Sequence, residues 1–118
     1  MKEFLLLIRS EGDQLWTLEE REDHLQKVRI YIADLMKAGK LKSAQPLDFE
    51  GAIISGTKGK LKDGPFNESK EVIGGYYVIV AKDMDEAIQI SRGNPIFETT
   101  ATARIEVRPI KILEGIND

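Results

Sequence analysis

Side chains suited to acid–base chemistry fall in two places. One is the stretch Asp63-Gly64-Pro65-Phe66-Asn67-Glu68-Ser69-Lys70-Glu71-Val72-Ile73-Gly74-Gly75-Tyr76, which sets a proline turn, an aromatic and several ionisable groups between two apolar runs. Proline fixes its own φ and pushes Gly64 toward extended geometry, while the Asp63 carboxylate can bond nearby amides. Turn chemistry thus accounts for Asp63, Gly64 and Pro65. It does not account for Phe66, Glu68, Lys70 and Glu71, so the stretch reads as a pocket wall. Phe66 supplies apolar contact, the charged groups orient a small polar ligand, and Asp63 is a candidate acid or base. The competing reading is a structural turn that also touches a partner subunit. The second place is His24, the single histidine. On a helix it lies about 60° from the centre of the apolar stripe, beside Val28 and Tyr31, where an imidazole can act as general acid or base. Its plain alternative is a boundary residue with Glu20 one turn earlier. Arg9, Trp16, Tyr76 and Phe97 are further candidate pocket linings, each equally suited to a core or an interface.

Other chemistries find little support. Carboxylate pairs such as Asp63 with Glu71 can share a proton, but closeness in sequence is weak ground for a pair. One histidine and no cysteine disfavour a transition-metal site and remove thiolate catalysis and disulfides. No serine sits in a nucleophile-elbow context, and Gly56-Thr57-Lys58-Gly59 lacks the spacing of a phosphate-binding loop. No cofactor is expected.

The chain has 118 residues, 42% hydrophobic and 31% charged, the make-up of one soluble globular domain spanning residues 1–118. A formal charge of −3 carries no basic footprint for nucleic acid. No run approaches the roughly 20 apolar residues of a membrane span, and the apolar run Phe4–Ile8 is too short for a secretory signal. A cytoplasmic protein is expected.

The elements that must position these groups follow from patterning. Phe4–Ile8 is an unbroken apolar run, predicting a strand buried on both faces. Thr17 with Glu20 has the form of a capping box, and Leu18, Leu25, Val28, Ile32, Leu35 and Met36 predict one stripe of a long helix ended by Gly39. Leu41–Leu47 predicts an edge strand because of Pro46. Ala52–Ser55 and Lys60–Lys62 predict a hairpin around Gly56–Gly59, feeding the 63–76 loop. Tyr76–Ala81 is the strongest strand, and Gly74-Gly75 before it reads as a bulge. Asp83 caps a second helix through Arg92, ended by Gly93-Asn94-Pro95, and Ala103–Ile110 alternates as a half-wet final strand.

This order predicts a ferredoxin-like α+β domain, a mainly antiparallel sheet with two helices on one face. Helices on one face leave the apolar side chains of the other uncovered. The expected partner is a second copy, two sheets packing face to face as a dimeric α+β barrel.

The 63–76 stretch together with the end of the chain resembles the YCII-related family in its DGPF subgroup, on Asp63-Gly64-Pro65-Phe66, Glu68-Ser69-Lys70-Glu71, Gly74-Gly75, Asp85-Glu86-Ala87 and Glu106-Val107-Arg108-Pro109-Ile110. The resemblance covers nearly the whole chain and implies a dimeric α+β barrel of unassigned activity. In relatives outside the subgroup a helix histidine with an aspartate is regarded as a possible catalytic pair, and Arg21-Glu22-Asp23-His24-Leu25 is similar to their Arg-x-x-His-Leu segment. Here the interval from His24 to Gly39 is about one turn longer, and no aspartate stands just before that glycine. Two functions are consistent with this reading. One is a dimer that binds a compact polar ligand, with cofactor-free lyase or isomerase chemistry if it is an enzyme. The other is a non-catalytic regulatory or protein-interaction domain.

Overall fold

Thr17 and Glu20 start the first helix as their spacing requires. In the computed structural model, which describes residues 1–11, 16–65 and 72–118, the Thr17 hydroxyl accepts from the Glu20 amide at 3.0 Å and the Glu20 carboxylate accepts from the Thr17 amide at 3.1 Å. Helix α1 runs Leu18–Lys37 and ends where Gly39 takes φ +70°, a left-handed turn open to glycine at no steric cost. The middle of the expected stripe holds, with Leu25, Val28 and Ile32 half-buried and Leu35 buried, and its two ends do not. Leu18 is 85% and Met36 63% exposed, whereas His24 and Leu35 are buried and Tyr31 and Ile32 pack on the core. Both misread residues lie in the terminal turns of the helix.

Six strands accompany three helices among the described residues: β1 (Lys2–Ser10), β2 (Leu41–Pro46), β3 (Ala52–Ser55), β4 (Lys62–Pro65), β5 (Val72–Ala81) and β6 (Arg104–Pro109), with α2 (Met84–Arg92) and α3 (Ile96–Thr99). The main sheet has the order β2-β5-β1-β6, antiparallel throughout, which is the ferredoxin-like arrangement expected from the element order. Pro46 sits on edge strand β2, where a missing amide donor costs no ladder bond. Asp83 caps α2 by accepting from the Glu86 amide at 2.9 Å. The short α3 was not anticipated. It forms because the Asn94 side chain accepts from the Ile96 amide at 2.9 Å, restarting a helical turn directly after the Gly93-Asn94-Pro95 stop.

The core lies on one face of this sheet. Phe4, Leu6 and Ile8 of β1 and Tyr77, Ile79 and Ala81 of β5 are buried with Ala87 of α2, and Tyr31 and Ile32 of α1 and Ile90 of α2 pack against them. The opposite face is treated differently from the prediction for β1. Leu5 and Leu7, paired with Val78 and Tyr76, are half-buried, on the face opposite the helix-covered core among the described residues. Arg9 lies on that face too, its guanidinium 3.0 Å from Glu106, which also meets Arg108 at 3.1 Å.

Strands β3 and β4 form a separate two-stranded hairpin. Asp63-Gly64-Pro65 is therefore not a free turn, as expected, but β4 itself: Asp63 pairs with Ile54, Gly64 with Ile53 and Pro65 with Ala52. The hairpin stands away from the core, with Ile53, Ile54 and Leu61 exposed, and the radius of gyration of 16.4 Å exceeds the roughly 13–14 Å of a compact chain of this length.

Candidate functional site

Where α1 crosses the end of β5, the helix and the sheet do not close against each other. Small residues explain the gap. Gly74 and Gly75 at the start of β5 and Ala44 on β2 contribute almost no side-chain volume, and a cavity of about 260 Å³ remains. The register of β1 on β5 slips here: Ile8 faces Gly75 while Arg9 faces Ile73, leaving Gly74 as the bulged residue read from the glycine pair. Gly75 is also required for packing, because a Cβ there would lie 2.9 Å from the backbone oxygen of Gln45 on the neighbouring strand.

The walls are mostly aliphatic, from Leu25, Val28 and Ile32 of α1 and Ile8 of β1. Polar groups enter at few points: His24 from α1, Tyr77 from β5, Asn94 and Gln45. His24 is buried, and its Nδ1 lies 3.1 Å from the Thr99 hydroxyl of α3, which is itself 3.5 Å from the Thr100 hydroxyl. The Trp16 ring packs on the imidazole at a centroid distance of 4.8 Å, tilted by 58°. Desolvation, then the nearby Lys27 cation, push the imidazole below its ordinary titration range against weaker opposing pulls from Asp23 and Glu98. The ring is accordingly neutral at pH 7.

Tyr77 is buried as well. Burial raises its phenol, and a hydrogen bond from the Asn94 side chain opposes that rise. The neighbouring Tyr31 ring meets it edge-on at 5.9 Å, but the Tyr31 hydroxyl donates to the Ile90 carbonyl at 2.6 Å and is committed to holding α1 on α2.

Among the residues singled out from sequence, the structure places His24 in the cavity wall next to the glycine pair, with Trp16 packed on its ring but not itself among the lining residues. Arg9 and Tyr76 lie on the other face of the sheet, because each is one position out of phase with the buried Ile8 and Tyr77. Asp63 is exposed on β4 and is not among the cavity's lining residues. Phe66, Glu68, Lys70 and Glu71 lie outside the described residues. Sequence reasoning missed Tyr77, Asn94 and Thr99. A signal existed for Tyr77, since strand alternation sets it on the same face as Gly75. None existed for Thr99, which meets His24 across 75 residues of chain.

Comparison with known proteins agrees with the fold. A curated relative from Rhizobium meliloti, an uncharacterized protein, is 30% identical over 105 residues, covering 82% of this chain and 81% of its own. A solved structure, the 5-chloro-2-hydroxyhydroquinone dehydrochlorinase TftG from Burkholderia phenoliruptrix in complex with 2,5-dihydroxybenzoquinone, superposes with a TM-score of 0.53 at 20% identity. That alignment covers 98% of this chain and 99% of the other, and it shows a shared fold. The YCII-related domain model matches residues 2–111, and with the sheet order and the relative's identity this makes the chain a member of the YCII-related family.

Proposed function

We propose that this protein binds a compact, largely apolar small molecule and moves a proton on it without a cofactor, in reactions of the lyase or isomerase type. The observation that carries the reading is a single neutral imidazole in the wall of an aliphatic cavity, with one ring nitrogen already engaged by a threonine. We take the tautomer in which Nδ1–H donates to the Thr99 hydroxyl, which leaves Nε2 its lone pair and makes His24 a base near neutral pH. The Trp16 ring packs against the imidazole. TftG, a dehydrochlorinase bound to a small ring, supports the same class of chemistry by analogy of fold.

The quaternary structure belongs to the same proposal. Two copies pack their uncovered sheet faces together, burying Leu5, Leu7 and Val78, and the exposed apolar hairpin reaches onto the partner. We place the chain in the DGPF subgroup on the motif at Asp63, whose hairpin is then an element of the subunit contact. A non-catalytic regulatory domain remains the competing reading, favoured by that exposed hairpin.

Deuterium incorporation separates the two. In D₂O the wild type should accelerate exchange at acidic C–H positions in at least one of a panel of enolisable ketones and hydroxylated rings, with His24→Gln slower by about 10²- to 10⁴-fold. Binding without exchange across the panel would establish the non-catalytic reading.

A further inference from the structure

The direction of one amide decides what the far wall of the cavity offers. A backbone N–H can only donate, so the Asn94 atom that takes the Ile96 amide at 2.9 Å is the carbonyl oxygen Oδ1. The amide nitrogen Nδ2 is then the group Asn94 has left to turn toward Tyr77, as the polar neighbour that opposes the rise of its phenol. A phenol that accepts through its oxygen still carries its own proton. Among the described residues no hydrogen bond uses that proton, and the hydroxyl of Tyr31, the adjacent phenol, is committed to Ile90. Both Tyr77 and Asn94 line the cavity that His24 lines.

We propose that Tyr77, polarised by Asn94, is a hydrogen-bond donor to a carbonyl or phenolic oxygen of the ligand, and that the site takes a single substituted ring or comparably compact ketone bearing that oxygen. The size fits: a cavity of about 150 Å³ accommodates benzene, so about 260 Å³ admits one ring with two or three substituents. The chemistry rests on the His24 reading and extends it. As Nε2 takes a proton from the carbon next to the carbonyl, the C–H pair moves into the carbon–carbon bond and the carbonyl pair onto oxygen. The resulting enolate oxygen then lies against the Tyr77 O–H, strengthened because its own oxygen is already an acceptor. Two neutral groups thus share the step, one receiving the proton and one holding the charge.

Binding of 2,5-dihydroxybenzoquinone, with toluene as a hydrocarbon probe of the same cavity, tests this. Tyr77→Phe should weaken the quinone about tenfold and leave toluene within about twofold. Asn94→Asp keeps an acceptor for Ile96 but turns the Tyr77 proton toward a carboxylate, so it should weaken the quinone by a similar factor, and the double variant should be no worse than the poorer single one. The visible absorption of the bound quinone gives a second readout, because loss of the donor raises the pH at which the bound ligand ionises. The proposal is overturned if Tyr77→Phe leaves quinone affinity unchanged, if it weakens both probes alike, or if the wild type takes up only the hydrocarbon or neither ring. Deuterium exchange lost in His24→Gln alongside quinone binding indifferent to Tyr77 would sink this inference and leave the base intact. The converse pattern would do the reverse.

Discussion

A neutral histidine enclosed by apolar walls must leave a mark on stability against pH, and the sign follows from burial. In the unfolded chain His24 titrates near 6.5, while in the folded protein desolvation and Lys27 hold it lower. Between these two values the unfolded state binds more protons than the folded one. Stability is therefore unaffected by this group above about pH 6.5 and falls as the pH is lowered from there to the folded-state value, flattening below it. For one group the slope cannot exceed about 1.4 kcal/mol per pH unit. At the unfolding entropy of a chain of this length, that corresponds to at most about 4–6 °C of Tm per unit. The carboxylates with resolved shifts do not interfere. Glu86 is lowered by the Lys82 amide and then Lys40, and Glu106 by Arg108 and then Arg9, so both lose their contribution only below the normal carboxylate range. Thermal melts of wild type and His24→Gln at half-unit steps from pH 7.5 to 5 should diverge steadily below pH 6.5, with the wild type losing more. The imidazole resonance of His24, followed by NMR, should titrate below 6.5. Parallel melting curves, or an imidazole titrating at or above 6.5, would refute the placement of a desolvated ring in this cavity.

Two further outcomes test the frame around the site. Gly75→Ala sets a methyl 2.9 Å from the Gln45 carbonyl on the adjoining strand, and since the atom it meets is backbone and cannot swing aside, denaturant unfolding should show a loss of about 1–3 kcal/mol with β2 shifted from β5. Val78→Lys charges the uncovered sheet face between Leu5 and Ser43 while leaving the helix-side core untouched. Light scattering should show the wild type at twice 13.3 kDa and the variant at 13.3 kDa with unchanged circular dichroism, and a wild type already at 13.3 kDa would refute the paired-sheet proposal.

What this sequence determined unaided was local and periodic. Thr17 with Glu20, Asp83 with Glu86, Gly39 and Pro46 each act within one turn or one strand, so the caps, the left-handed stop and the edge position were legible from spacing. The order of elements, filtered by antiparallel pairing, sufficed for the ferredoxin-like sheet. Position along an element was less legible: Leu18 and Met36 continue the apolar stripe but are exposed at the two ends of the helix.

The site itself was decided in three dimensions. His24 could be named from the sequence, but its buried state and its threonine partner arise only when α3 folds back against α1. Tyr77 looked like one more apolar strand residue and Asn94 like a helix stop. They line one cavity because the bulge at Gly74 and the glycine at Gly75 hold it open beside them. The physical reason is one of range. Caps and turns are fixed by interactions over three or four residues of chain, whereas a cavity is the volume left unfilled by elements far apart in sequence, and no local pattern records it.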